Sequence, residues 1–194
     1  MIECKSVNVL DLIEWIGEEA VYDILSSFQC PKNPSMENFI WKNAIEFAKK
    51  KISITYLVMN MENEFLGVFT LTHKPLTIAG DTLSATTRKK LARYAKYDPI
   101  QQSYAMSAFL IAQLGKNMLL QKGTMLSGND IMDASFDILR KVQHAIGGGV
   151  VYLECEDHPK LLGFYQNEHN RFFPFGDRYD VVEATEYIQL FRFL

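Results

Sequence analysis

The residues with the clearest chemical use are Ser127, Gly128, Asn129 and Asp130, which open a helical pattern running to Ile146. The first N–H groups of a helix have no partner within it, and the helix dipole favours negative charge beside them, so this mouth could receive a pyrophosphate. Gly128 would let the backbone approach an anion closely. A plainer role fits the same residues: Ser127 or Asn129 caps the helix and Gly128 lies in a turn. Asp130 opposes an anionic ligand, because a carboxylate in the first turn competes for the same donors. Glu154 and Glu156 alternate at the end of an apolar run, which puts them on one face of a strand, where one could draw a proton through water. Solvated strand-end carboxylates show the same pattern. His144, His158 and His169 lack metal-ligand spacing and read as helix or turn residues, and Cys4, Cys30 and Cys155 form no paired or zinc-like pattern.

These groups must be held by the elements of residues 106–165. An apolar strand containing Phe109 to Leu114, a loop, the helix to Ile146, an apolar strand over 150–155 and a helix carrying Phe164 and Tyr165 make one βαβ crossover. Before it, Val21, Ile24, Leu25 and Phe28 mark a helix that Pro31 and Pro34 stop. A second helix, capped by Ser35, carries Met36, Phe39, Ile40, Ala44 and Phe47 to a lysine cluster at 49–51. Residues 9–17 read as strand-to-helix or a first helical turn. Strands over 52–60 and 65–72 form a hairpin, with 75–80 as a continuation or edge segment. A charged excursion over 84–97 with Arg88, Lys89, Lys90 and Arg93 ends at Asp98-Pro99. The chain closes on an alternating strand over 186–194.

The 194 residues, 48% of them hydrophobic and 22% charged, suit one domain spanning 1–194. A net charge of -3 leaves no overall basic footprint for nucleic acid. No apolar run reaches membrane-spanning length and no leader-like pattern opens the chain, so a cytoplasmic protein with no membrane partner is expected.

Phe28-Gln29-Cys30 followed by Met36, Phe39, Ile40 and Ala44 forms one set of motifs, and Ala112-Gln113-Leu114-Gly115 another. With Ala145 to Gly148, Val151 to Glu154 and Leu162-Gly163-Phe164-Tyr165, in this order of elements, the chain resembles the GCN5-related N-acetyltransferase (GNAT) superfamily. Within it the likeness is nearest to the branch of acetyltransferase toxins from bacterial toxin–antitoxin pairs. The loop from Leu120 to Gly128 keeps the last glycine of the superfamily's pyrophosphate motif, with Gln121 and Gly123 out of its register. The Gly-Phe pair that follows the Phe-Tyr helix is replaced around His169 and Asn170.

The resemblance implies an α/β fold with a mixed, mostly antiparallel sheet, splayed between its fourth and fifth strands and flanked by helices. It implies acetyl-CoA as acetyl donor and direct transfer to a primary amine in a ternary complex. The pantetheine arm would lie on the backbone of Ile111, Ala112, Gln113 and Leu114, and the pyrophosphate at Ser127, Gly128, Asn129 and Asp130. Tyr165 would protonate the leaving thiolate; a phenol with an ordinary pKa near 10 is protonated at neutral pH. Glu154, with Glu156 as its alternative, would serve as base. Substrate choice would fall to residues 12–47 and 81–100. The acceptor is a small-molecule amine or, as in the toxins, aminoacyl-tRNA, with an antitoxin as partner in the second case. A homodimer through Tyr187, Phe191 and Phe193 and a non-enzymatic interaction module are the remaining readings.

Overall fold

The N-terminal helices follow directly from their caps. In the computed structural model, which describes residues 3–119 and 126–194, strand β1 (Cys4–Asn8) ends where Asn8 Oδ1 accepts from Leu10 N at 2.9 Å, and α1 (Val9–Ile16) begins there. Gly17, at φ 85°, closes α1 and starts α2 (Glu18–Ser26), a conformation that a side-chain-bearing residue adopts at a cost. The next helix, α3 (Pro34–Lys42), is capped by Asn33, not by Ser35. Asn33 Oδ1 accepts from Met36 N at 2.9 Å, and Pro34 fills the first helical position, where a missing N–H costs nothing. The expected single helix is two, because Asn43, a weak helix former, separates α3 from α4 (Ala44–Lys49). The apolar stripe survives the break: Met36, Ile40, Ala44 and Ala48 are all buried.

Two compact units divide the chain, one of Met1–Thr72 with Ile111–Ile138, the other of His73–Leu110 with Leu139–Leu194. In the first, β2 (Ile54–Asn60) pairs antiparallel with β1 and with the start of β3 (Phe65–Ala79). Asn60 fixes the hairpin connection, its Oδ1 accepting from Glu64 N at 2.8 Å while its Nδ2 donates to Glu64. Thr55 and Thr70 face each other across the ladder and share a buried hydroxyl hydrogen bond of 2.8 Å. Val9, Val21, Leu25, Phe28, Ile40, Leu57 and Val68 form the core under these elements.

The second unit takes the rest of β3, which runs on through the segment that the sequence left as a continuation or an edge. The charged excursion is a short helix, α5 (Ala85–Leu91), with Ser84 Oγ accepting from Thr87 N. Then come β4 (Tyr97–Asp98) and the first part of β5 (Ser103–Lys116). After the crossover helix α6 (Gly128–Ile146), shared by both units, follow β6 (Val150–Glu156), α7 (Pro159–Gln166), β7 (Phe173–Asp180) and β8 (Thr185–Phe193). Leu76, Ile78, Leu91, Ala108, Val150 and Phe191 belong to this unit's core, with Phe175 and Phe193 packed edge-on against Phe191 at 5.7 and 5.6 Å.

The hydrogen-bonded strand order is β1-β2-β3-β5-β6-β8-β7, with β4 paired to β5. The β5–β6 ladder is parallel and consists of Phe109↔Val151 and Leu110↔Tyr152; β1–β2, β2–β3, β4–β5, β6–β8 and β7–β8 are antiparallel. This is a mixed, mostly antiparallel sheet. The C-terminal strand β8 lies between β6 and β7, and Phe191 is wholly buried. Its two edges are already paired, so a second copy cannot extend the sheet along β8.

Candidate functional site

In the first unit, the sequence-predicted residues Ile111, Ala112, Gln113 and Leu114 are the end of β5. Ile111 is buried, Ala112 is exposed, and Gln113 and Leu114 are half-buried. This stretch runs against neighbouring backbone with no room to spare. A Cβ on Gly67 would lie 2.8 Å from both Gly115 O and Ile131 Cδ1, and a Cβ on Gly115 would lie 2.2 Å from Met36 Cε. Asn117, which sequence reasoning did not single out, ties off the strand: its N–H donates to Leu66 O, its Nδ2 to Phe65 O, and its Oδ1 accepts from the N–H groups of Gln29 and Leu119. A polar residue directly after a long apolar strand was the available signal.

At the mouth of α6 the structure places a capping box. Asp130 N donates to Ser127 Oγ at 3.2 Å while Ser127 N donates to Asp130 Oδ2 at 2.6 Å. These bonds, the one from the Ser127 backbone foremost, hold the Asp130 carboxyl below its ordinary range. Capping, one of the two roles the sequence allowed, is thus realised at Ser127, and Asp130 uses one donor that an anion would need. Gly128 is the first residue of the helix and Asn129 the second. Gln121 and Gly123 lie outside the described residues.

In the second unit, alternation along β6 separates the two residues expected to share the chemistry. Cys155 and Tyr165 lie together: the Tyr165 phenol on α7 is buried, and burial, with the neighbouring Cys155 as a lesser cause, pushes its pKa well up. Glu154 projects from the other face of β6, beside Tyr152 and opposite Gln189 on β8. Its carboxylate is fully engaged. Arg178 on β7 reaches Oε2 with both Nε and Nη2 at 2.8 Å, and Gln189 Nε2 donates to Oε1 at 2.7 Å. Arg178 also pairs with Asp180 at 2.8 Å and lies over the Tyr187 ring, whose hydroxyl donates to Glu183. Glu156, at the end of β6, is exposed. Sequence reasoning missed Arg178 and Gln189, because their link to Glu154 exists only once strand order and register are known.

Among the histidines, His158 caps α7, its Nδ1 accepting from Lys160 N at 3.2 Å, and His169 lies in the turn after it. No metal-ligand group occurs among the described residues. A cleft of about 760 Å3 between α2 and α3–α4 is lined by Tyr22, Trp41, Ile45 and charged residues including Lys42 and Glu19. Most of its lining falls within residues 12–47, to which substrate choice was assigned, with Lys49 and Lys50 beyond that range, and it holds none of the candidate chemical groups.

Cys155 is the most perturbed of the three thiols. Burial first, then Asp157 and Glu156, push it up to about 11. A thiol whose pKa rises on folding stabilises the native state below its ordinary value near 9, and that stability is lost as pH climbs through about 11. Stability measured by denaturant should therefore fall by on the order of 2 kcal/mol across this window, and Cys155→Ala should flatten that part of the curve. At pH 8 a thiol reagent should modify the half-buried Cys4 and Cys30 well before Cys155.

No protein-family profile and no curated protein matches the chain. Solved structures do. AtaT complexed with acetyl-methionyl-tRNA aligns over 98% of this chain and 94% of its own, at TM-score 0.65 and 15% identity. A tyrosine-to-phenylalanine mutant of KacT aligns over 98% and 95%, at TM-score 0.64 and 16% identity. AtaTR bound with acetyl-CoA aligns over 98% and 93%, at TM-score 0.59 and 16% identity. The fold is therefore the GNAT-like one of these structures over nearly the whole chain. At such identities the likeness speaks for the fold alone.

Proposed function

We propose that this chain is an acetyl-CoA-dependent N-acetyltransferase that passes acetyl to a primary amine by direct attack. The observation that carries the reading is Tyr165, a buried phenol held protonated on the helix that follows β6, in a fold shared with proteins solved with acetyl-CoA. The cosubstrate supplies an activated acetyl group and a thiolate leaving group. Tyr165 donates a proton to that thiolate. Burial keeps the phenol protonated but also makes it a weaker acid, so the transfer relies on the thiolate forming beside the hydroxyl as the thioester breaks.

The backbone of Ile111, Ala112, Gln113 and Leu114 holds the pantetheine arm, and the α6 mouth at Ser127, Gly128, Asn129 and Asp130 takes the pyrophosphate. Asp130 must then give up Ser127 N–H or share it, which weakens the grip on the anion. Glu154 is poorly suited to act as a free base while Arg178 and Gln189 occupy both oxygens. In this proposal it anchors the β6–β7–β8 surface. The exposed Glu156, on the same face as Glu154 at the strand's end, is the carboxylate open to water, and the amine's proton leaves through that water and not on the Tyr165 face.

For the acceptor, AtaT complexed with acetyl-methionyl-tRNA supports aminoacyl-tRNA. The exposed cations Arg88, Lys89 and Arg93 could meet its phosphates. The AtaT–AtaR complex supports an antitoxin as partner. A small-molecule amine is the other acceptor class. Calorimetric titration with acetyl-CoA, followed by detection of released CoA with aminoacyl-tRNA and with a panel of small amines, separates these readings. Saturable binding with thiol release for one class is the expected result. No binding would overturn the enzyme reading in favour of an interaction module.

A further inference from the structure

We propose that Asn170, held in turn by Arg192, is the positioning residue for the Tyr165 hydroxyl, so that the loop after α7 sets where the phenol stands. The proposal rests on the reading of Tyr165 as proton donor. It begins from the length of α7. A helix of eight residues leaves its last four carbonyls without intrahelical donors, and these include the carbonyls of Phe164 and Tyr165.

Both are taken by the returning chain. Asn170 Nδ2 donates to Phe164 O at 2.8 Å, and Phe172 N donates to Tyr165 O at 3.0 Å. The turn that brings these donors back is built locally. Asn167 Oδ1 accepts from the N–H groups of His169 and Asn170 at 2.9 and 2.8 Å, and Arg171 takes a left-handed φ of 54°. Asn170 has no exposed surface, so its amide works in a setting where an unmade bond is expensive.

The loop is then fastened to the sheet. Arg192 Nη1 donates to Asn170 O at 2.6 Å, and its guanidinium lies 6.0 Å from the Phe172 ring centre. Phe172 itself meets the Tyr165 ring edge-on at 6.0 Å and 78°. Arg192 pairs with Val151 in the β6–β8 register, which places it on the face of β6 that also carries Cys155, the neighbour of Tyr165. Sheet, loop and phenol therefore form one chain of contacts on one face: Arg192 to Asn170, Asn170 to the Phe164 carbonyl, and Phe172 to both the Tyr165 carbonyl and its ring. This occupies the place where the sequence departs from the Gly-Phe pair of its look-alikes.

The test uses the whole chain with 3-fluorotyrosine at position 165, read by fluorine NMR, beside steady-state kinetics and acetyl-CoA affinity. Asn170→Ala and Asn170→Asp remove the donor to Phe164, the second while keeping the shape, and Arg192→Ala removes the hydrogen bond to Asn170 O while leaving the Asn170 side chain in place. Thr55→Val, in the other unit, supplies a variant that loses a buried hydrogen bond elsewhere. The expected result is a shifted position-165 resonance whose titration falls from the wild-type position toward that of free 3-fluorotyrosine. With it, kcat should drop roughly ten- to a hundredfold at nearly constant acetyl-CoA affinity. Thr55→Val should move neither. If Asn170→Ala does not fold, Arg192→Ala decides. A wild-type resonance and titration in the folded Asn170 and Arg192 variants would overturn the proposal. Absence of acetyl transfer by the wild-type protein would instead overturn the functional reading, and the fluorine signal would still decide the clamp.

Discussion

Tyr165→Phe should lower kcat by roughly 10²- to 10³-fold while leaving the acetyl-CoA dissociation constant within about a factor of two. The size of the effect follows from what the substitution removes. The ring remains, with its edge-on contacts to Phe164 at 5.0 Å and Phe172 at 6.0 Å, so packing is kept and only the hydroxyl is lost. A proton donor aimed at a leaving thiolate acts only as the bond breaks, and its loss appears in turnover, not in ground-state binding. Burial raises the phenol pKa, so acetyl transfer by the wild-type protein, if Tyr165 acts as proposed, should show no alkaline limb from Tyr165 at or below pH ~10. Rapid-quench or steady-state kinetics with calorimetry on the same preparation checks both halves. Unchanged kcat in this variant would remove Tyr165 from the chemistry.

Much of the architecture was legible because apolar periodicity reports burial. The hairpin, the crossover helix and the two strands around it all lie where alternation or helical spacing put them. What failed did so at polar residues with more than one local option. Ser35 and Asn33 are both good caps, and Pro34 decides between them, because proline is favoured just inside a helix and not before its cap. Asn43 ends one helix and opens another without interrupting the apolar stripe, so periodicity passes through it unseen.

The candidate site was legible in its parts and not in their arrangement. Ser127 could be read as one of two candidate caps, and the mouth of α6 carries the cap there, closed into a box by Asp130. The relation of Glu154 to Tyr165 could not be read, since it depends on which face of β6 each occupies and on Arg178, 24 residues away, arriving beside Glu154 through strand pairing. The Asn170 loop was visible only as a departure from a familiar pattern. A departure shows that something else must satisfy the last carbonyls of α7, but not which residue does so.

Gly67→Ala should produce the opposite signature to Tyr165→Phe: weaker acetyl-CoA binding and a lower melting temperature, with less effect on turnover at saturation. An added Cβ would stand 2.8 Å from Gly115 O and 2.8 Å from Ile131 Cδ1. Ile131 can turn, but the Gly115 carbonyl belongs to the main chain of β5 and moves only with the strand. Overpacking of this kind costs roughly 1–3 kcal/mol, which for a chain of this size lowers the melting temperature by about 3–10 °C. The displaced groups adjoin the ones proposed to hold the cosubstrate: Gly115 follows Leu114, and Ile131 follows Asp130 at the mouth of α6. The strain is therefore spent on the pantetheine and pyrophosphate contacts, and affinity should fall roughly tenfold for each 1.4 kcal/mol lost there. Tyr165, held by its own loop in the other unit, should keep its fluorine resonance. A Gly67→Ala protein that melts early yet binds acetyl-CoA as tightly as wild type would show that the end of β5 and the start of α6 do not hold the cosubstrate, and would move the binding site elsewhere on the fold.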